Sequence, residues 1–173
     1  MYYEGNGVMK SYKQAIKWYQ LAADQGNTEA QSSLGEIYAK GKGISQDSQE
    51  AVKWYQLAAD QGNIEAQSSL GEMYAKGQGV SQNSQEAVKW YMLAAEQGST
   101  EAQYNLGEMN AKGQGVSQNS QEAVKWYHRA AEQGNIEAQS SLGAMYAEGT
   151  GVEKNYKEAI KWLISAAKEN DSN

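Results

Sequence analysis

The chain has 173 residues and contains no Cys, Phe or Pro, which excludes disulfides and thiolate metal sites and leaves small and aromatic side chains to build the core. Its 15 basic and 21 acidic residues give a formal charge of −6, and no stripe of Lys and Arg could follow a phosphate backbone, so we expect no nucleic-acid partner. No apolar run reaches the roughly 18 residues of a membrane span, and the N-terminus lacks the pattern of a secretion signal, so we expect no span, while the compartment, cytoplasmic or periplasmic, stays open.

The first predicted helix runs from Ser11 to Gln25, because Ser11 and Gln14 form a capping box ahead of an apolar stripe. Gly26 suits the left-handed position that ends a helix, and Asn27 is placed to cap the next one. That next helix carries the motif A-Q-x-x-L-G with apolar residues at helical spacing. The sequence therefore predicts a helical hairpin in this segment.

The same two helix types alternate along the whole chain with a period of 36 residues, which is typical of stacked supersecondary units. Within one repeat, the helix with A-Q-x-x-L-G comes first and the helix with E-A-V-K-W-Y comes second. The tryptophans of these second helices mark the register at Trp18, Trp54, Trp90, Trp126 and Trp162. Further caps are expected for the second helices at Asp47, Asn83 and Asn119, and for the first helices at Asn63, Ser99 and Asn135. We expect the tryptophans to be structural, since a residue that recurs in every unit is explained by packing.

Glycines divide into helix ends, one position inside each first helix, and the G-x-G pairs that follow it. The internal glycines are Gly35, Gly71, Gly107 and Gly143, and their cost in a helix suggests a close approach by a neighbouring backbone. The G-x-G pairs lack the preceding strand and third glycine of a dinucleotide site. We therefore expect them to be structural and predict no cofactor.

The motif A-x-x-x-L-G-x-x-Y-x-x-G-x-G-V followed by E-A-V-K-W-Y-x-x-A-A-x-Q-G resembles the Sel1-like repeat, a relative of the tetratricopeptide repeat. The resemblance implies an all-α, right-handed α-solenoid of stacked helix-turn-helix repeats, whose first helices line a concave groove. It implies a single repeat domain over residues 1–173, with about four and a half repeats and a partial repeat at the N-terminus. It also implies a protein-protein interaction scaffold or adaptor, usually without catalysis of its own.

Analogy with tetratricopeptide repeats places Glu29, Ser32, Glu36, Ala39 and Lys40, with their equivalents, on the groove. We expect a protein or peptide partner there, basic if the repeated carboxylates recognise it. A solvated helix face is the simpler reading of those carboxylates. The candidate partner-binding residues are Glu36, Glu72, Tyr104, Asn105, Glu108 and Asn110.

The third unit departs from its neighbours, so specificity could lie there. Tyr104 and Asn105 replace a Ser-Ser pair, and an aromatic side chain in a groove is a plausible partner anchor, although sequence drift explains the change equally well. Asn110 replaces the tyrosine of the other units, and a buried amide must find hydrogen bonds. Those tyrosines, expected to be core rings, are Tyr38, Tyr74 and Tyr146.

The chain offers no catalytic or metal constellation. His128 is the only histidine, on a helix face expected to point outward, and no nucleophile stands with a base at defined spacing. We therefore expect no enzyme. Two alternatives stay open: penicillin binding or β-lactam hydrolysis, which the resemblance attaches to a cysteine-rich branch, and a purely structural, self-associating module.

The last helix is expected to leave part of an apolar stripe open, because no neighbour follows it in this sequence. Its members are Ala159, Ile160, Leu163, Ala166 and Ala167. Solenoids without capping units tend to associate, so we expect weak end-to-end association that depends on concentration.

Overall fold

The computed structural model describes residues 12–170. This part of the chain forms nine α-helices and no strand. In chain order they are α1 (Tyr12–Asp24), α2 (Thr28–Lys40), α3 (Ser48–Asp60), α4 (Ile64–Lys76), α5 (Ser84–Glu96), α6 (Thr100–Lys112), α7 (Ser120–Glu132), α8 (Ile136–Glu148) and α9 (Tyr156–Asn170). The even-numbered helices carry A-Q-x-x-L-G and are the first helices of the repeats. The odd-numbered helices carry the E-A-V-K-W-Y type of sequence and are the second helices, so α1 is the second helix of the N-terminal repeat.

Capping residues start the helices where the sequence predicted. The side chain of Asn27 accepts a hydrogen bond from the Ala30 N–H at 2.8 Å, and Asn63, Ser99 and Asn135 cap the later even-numbered helices in the same way. Asp47 accepts from the backbone of Gln49 and Glu50, and Asn119 caps α7 alike. The predicted cap Ser11 lies outside the described residues.

Left-handed glycines end the even-numbered helices, and the φ of Gly41 is 66° while its N–H bonds the Ile37 carbonyl. The sequence suggested a neighbouring backbone beside the glycine inside each first helix, but Gly35 and Gly107 face a side chain instead, while Gly143 meets both the Leu163 side chain and the Ala159 carbonyl oxygen. A Cβ on Gly35 would lie 2.5 Å from the Tyr55 ring, and one on Gly107 would lie 2.5 Å from the Tyr127 ring. In these two repeats a tyrosine from the following helix therefore packs on the glycine, and in the last repeat Leu163 takes that place beside Gly143.

Close backbone approach occurs instead at the second glycine of three G-x-G pairs, Gly79, Gly115 and Gly151, whereas Gly43 meets the side chain of Tyr12. A Cβ on Gly79 would lie 2.2 Å from the Ser48 carbonyl oxygen, and one on Gly115 would lie 2.3 Å from that of Ser84. Each loop thus rests on the start of the second helix of the preceding repeat. Only a residue without a side chain allows this contact.

The helices fall into two compact units, Met1–Asn83 and Ser84–Asn173. In the first unit α2 packs against α1 and α3, and α3 packs against α4; the core includes Ala23, Ala30, Leu34 and Trp54. In the second unit α6 packs against α5 and α7, and α8 packs against α7 and α9. Its core is built from small residues of α7, Leu142 and Met145 of α8, and Trp162 of α9. The prediction of one repeat domain over residues 1–173 stays a prediction.

The tyrosines predicted to be core rings are not the most buried ones. Tyr55, Tyr91 and Tyr127 of the second helices are at most 4% exposed, whereas Tyr38, Tyr74 and Tyr146 are only half-buried. The main tyrosine of each core therefore comes from E-A-V-K-W-Y. Among the tryptophans, Trp54, Trp126 and Trp162 are buried, while Trp18 is 62% exposed.

The glutamine of A-Q-x-x-L-G ties three helices together. In the first unit Gln31 donates to the Ala23 carbonyl at the end of α1 and accepts from Gln61 after α3, at 3.1 and 2.7 Å. In the second unit Gln103 makes the equivalent bonds to Ala95 and Gln133. Both the amide nitrogen and the amide oxygen of this buried glutamine are therefore hydrogen-bonded in each core.

The described helices make an all-α repeat solenoid, as the sequence predicted. None of them is both long enough and apolar enough to cross a membrane.

Candidate functional site

Tyr104 lies half-buried on α6 in the second unit, and its ring packs on the core beneath it. The ring centroid is 5.8 Å from that of Tyr127, with the two planes tilted by 42°. Burial raises the pKa of Tyr104, the nearby charges of Glu108 and Glu137 raise it further, and the Lys112 cation acts in the opposite direction. The ring is therefore anchored on one side, keeps part of its surface accessible, and has two carboxylates and one lysine in its neighbourhood.

Glu108 stands one helical turn after Tyr104 and is held from two sides. One carboxylate oxygen forms an ion pair with Lys112, and the other accepts a hydrogen bond from the Tyr127 hydroxyl at 2.7 Å. Burial acts to raise the pKa of Glu108, but the hydrogen bonds from Lys112 and Tyr127 outweigh it and the pKa is lowered. Glu108 is thus a fixed carboxylate that stays charged at neutral pH.

Tyr127 connects the helices of this surface. It rises from α7, fills the space over Gly107, and reaches both Glu108 of α6 and Ser141 of α8 with its hydroxyl. Burial and the hydrogen bond to Glu108 raise its pKa strongly, so the phenol remains a donor. Sequence reasoning missed this residue as part of the site, because its position repeats unchanged in Tyr55 and Tyr91 and resembled a core ring alone.

The two asparagines of the third unit have different environments. Asn105 is half-buried beside Tyr104 on α6. Asn110 is only 8% exposed, and its amide donates to the Leu106 carbonyl at 2.8 Å. The expectation that a buried amide finds a hydrogen bond is met, and this burial leaves Asn110 little surface with which to touch a partner.

The first unit carries the same carboxylate in a different setting. Glu36 forms ion pairs with both Lys40 and Lys42, each at 2.8 Å, and these two hydrogen bonds lower its pKa. Glu72 of α4 forms an ion pair with Lys76. Ser32 occupies the position of Tyr104 but is only 3% exposed, so its predicted place on an open groove surface is wrong: the small side chain is covered between helices.

The two units therefore differ in the charge of their first-helix surfaces. In the second unit, α6 and α8 carry four carboxylates and one lysine, a balance of −3; the carboxylates are Glu101, Glu108, Glu137 and Glu148. In the first unit, α2 and α4 also carry four carboxylates, but Lys40 and Lys76 reduce the balance of these helices to −2, and Lys42 of the following loop adds a further positive charge beside Glu36. The half-buried aromatic ring and the stronger negative charge coincide in the second unit.

The remaining candidates form no second site. Within residues 12–170, no group of three or more His, Asp or Glu side chains lies close enough together to hold a metal ion. His128 is half-buried rather than turned outward, since its ring meets that of Trp162 edge-on at 5.3 Å.

The last helix leaves part of its apolar stripe open, as the sequence predicted. Ile160 and Leu163 are 57% and 45% exposed and Ala167 is exposed as well, whereas Ala159 and Ala166 are buried.

These features define an all-α repeat protein with a polar helical surface. The Sel1 repeat model matches residues 1–27, 28–63, 64–99, 100–135 and 136–171, so the chain belongs to the Sel1 repeat family. Sel1 repeat proteins are generally protein-interaction scaffolds, and the fold is typically non-catalytic. A search of curated proteins finds no significant match.

Solved structures agree with this assignment. A protective antigen present in uropathogenic Escherichia coli strains, which displays an SLR fold, is 42% identical with a TM-score of 0.94 over 96% of this chain and 36% of that one. A Sel1 repeat protein from Oxalobacter formigenes is 39% identical with a TM-score of 0.92 over 97% and 69% of the two chains. Cysteine rich protein B of Helicobacter pylori, at 24% identity and a TM-score of 0.59 over 78% and 97%, shares the fold alone. The present chain thus spans about a third of the first of these structures.

Proposed function

We propose that the protein is an adaptor that binds a basic protein or peptide partner on the first-helix surface of the second unit. The binding surface consists of Tyr104, Asn105 and Glu108 on α6, with Glu137 on α8. Glu36 and Glu72 of the first unit would then contribute more weakly. The single observation that carries the proposal is the half-buried Tyr104 ring, which stands beside the fixed carboxylate of Glu108.

Three properties of this surface support binding. An aromatic ring held by a second ring is ordered before a partner arrives, so less side-chain entropy is lost on association. Glu108 has both oxygens engaged by Tyr127 and Lys112 and is likewise fixed in place. The net negative charge of α6 and α8 would attract and orient a basic segment.

The test is retention of proteins from a lysate of the source cells by three immobilised forms of the chain. These are the unaltered protein, Tyr104→Ser and Tyr156→Ser. The last is a matched control, because Tyr156 is a 62% exposed tyrosine on α9, a helix that contributes no residue to the proposed binding surface. We expect a defined partner to be retained by the unaltered protein and by Tyr156→Ser, and to be lost with Tyr104→Ser.

The dependence of partner retention on ionic strength provides an independent test of the same proposal. Retention should fall as salt rises, since exposed charges are screened within about 8 Å at physiological ionic strength. A partner held equally by all three forms would place the working surface elsewhere. A partner whose affinity ignores salt would reject electrostatic recognition and leave Tyr104 as the anchor.

We also propose that the chain has no catalytic activity of its own. No group on the proposed surface combines a nucleophile with a base, because Tyr127 is kept neutral and Glu108 is held by Lys112. Turnover of a chromogenic β-lactam by the purified protein would contradict this.

A further inference from the structure

We infer that the surface around Tyr104 recognises an arginine side chain of the partner in preference to a lysine. The inference rests on the proposed function and names the chemistry that the partner must supply. It follows from three features that meet on α6 and α8: an anchored aromatic ring, a fixed carboxylate and a second carboxylate without a cation.

The aromatic ring comes first. Tyr104 is a serine at the equivalent position of the other repeats, so only this unit offers a ring there. Its contact with Tyr127 at 5.8 Å holds the ring in place while part of it stays accessible. A guanidinium stacks on such a ring through its planar, weakly hydrated face, whereas an ammonium is a compact and strongly hydrated charge.

The carboxylates supply the second requirement. Glu108 lies one turn from Tyr104, and its position is set by the Tyr127 hydroxyl. Glu137 of α8 is exposed, lies near enough to Tyr104 to act on its phenol, and makes no ion pair among the described residues. A guanidinium over Tyr104 could therefore turn its N–H groups toward a carboxylate that still lacks a cation.

The lysine already present explains why a second lysine would gain little. Lys112 occupies Glu108 as a point charge and is itself mostly exposed. A partner lysine would compete for the same oxygen and would gain less from the ring than an arginine, because its ammonium is more strongly hydrated and cannot stack. A partner arginine would contact the Tyr104 ring and Glu137 together. The surface should therefore bind an arginine more tightly than a lysine.

The first unit provides the internal comparison. At the equivalent place it has buried Ser32 instead of a ring, and Glu36 is already paired with two lysines. Glu65 of α4 corresponds to Glu137 by two repeat lengths. The first unit should therefore contribute only general attraction for positive charge.

The experiment measures fluorescence anisotropy with two labelled peptides of equal length and charge, one of alternating Arg and Gly and one of alternating Lys and Gly. We expect the arginine peptide to bind about fivefold more tightly, as a cation–π contact of ~1 kcal/mol implies. Tyr104→Ser should abolish this preference, and Tyr104→Phe should retain it. Glu137→Gln should weaken the arginine peptide, while the matched Glu65→Gln should leave the preference unchanged.

Circular dichroism and thermal melting establish that each variant is folded before binding is compared. Equal affinity for the two peptides, a preference that survives Tyr104→Ser, or no binding of either peptide would overturn the inference. The proposed function has a separate outcome. If the cellular partner is still lost with Tyr104→Ser while the peptides are not distinguished, the scaffold surface stands and the arginine assignment fails.

Discussion

Glu169→Gln should stabilise the protein, because Glu169 interrupts a hydrogen-bond pattern that two other repeats complete. The A-Q glutamine accepts a hydrogen bond from a glutamine that follows the next helix, as Gln31 does from Gln61 and Gln103 from Gln133, both at 2.7 Å. Glu169 occupies the place of that donor in the last repeat. It can only accept, from the Gln139 amide at 3.2 Å, so the Gln139 side-chain oxygen is buried without a donor.

The size of the effect follows from what the substitution restores. Gln139 is only 3% exposed, so its oxygen cannot turn to water. A buried acceptor without a partner costs about 1–3 kcal/mol, and a typical hydrogen bond contributes about 0.5–1.5 kcal/mol net. We expect Glu169→Gln to raise the free energy of unfolding by about 1–2 kcal/mol, which corresponds to roughly 2–8 °C in Tm for a chain of this size.

Urea unfolding followed by circular dichroism measures the change, and hydrogen exchange should place it in α9. Gln133→Glu is the reverse control: it introduces the same defect beneath Gln103 and should destabilise by a similar amount. Glu96→Gln removes one charge from an exposed side chain at the end of another second helix and should have little effect. The reasoning is refuted if Glu169→Gln leaves the unfolding midpoint unchanged while Gln133→Glu is tolerated.

Three further predictions concern single positions. Tyr127→Phe should lower the free energy of unfolding by about 1–2 kcal/mol, since it removes a hydrogen bond to the charged Glu108, and by more than Tyr55→Phe, whose hydroxyl bonds a serine; chemical denaturation of both variants decides. Asn110→Tyr restores the residue of the other units and should be neutral or stabilising, so a clear fall in Tm would show that this place is built differently. Leu163→Glu should abolish any weak association seen by light scattering over a wide concentration range, whereas a chain that is monomeric at high concentration with or without the substitution would contradict association through α9.

Most of the fold could be predicted from the sequence, because its determinants are local and repeated. The caps at Asn27, Asp47 and their equivalents are side chains that bond the backbone three residues on, and a period of 36 residues fixes which helices are alike. Gly35 shows where this reasoning ends. Its small size signalled a close approach, but only the packed structure shows that the neighbour is the Tyr55 ring rather than a backbone.

The candidate site was less predictable, because its properties arise between helices. Tyr104 stood out as a break in the repeat, yet its anchoring by Tyr127 depends on the angle between α6 and α7. Identical residues also received different environments, as with Glu36, which Lys42 reaches from a loop, and Glu108, which Tyr127 reaches from a helix. Asn110 and Ser32 are buried although both were predicted to lie on the partner-binding surface, and no periodicity in the sequence distinguishes these positions from exposed ones.

The contact between the second glycine of G-x-G and the preceding repeat has a consequence for how such chains can grow. Gly79, Gly115 and Gly151 each meet a main-chain carbonyl, of Ser48, Ser84 and Ser120 respectively, so the joint contains no side chain that must be matched to its neighbour. Each of the repeats at residues 64–99 and 100–135 carries both the serine carbonyl that the following repeat contacts and the glycine that contacts the preceding one. When such a whole repeat is duplicated or deleted, the new neighbours can therefore form the same contact. Recombination can therefore alter the number of repeats in steps of 36 residues, while the exposed first-helix positions remain free to diverge for different partners.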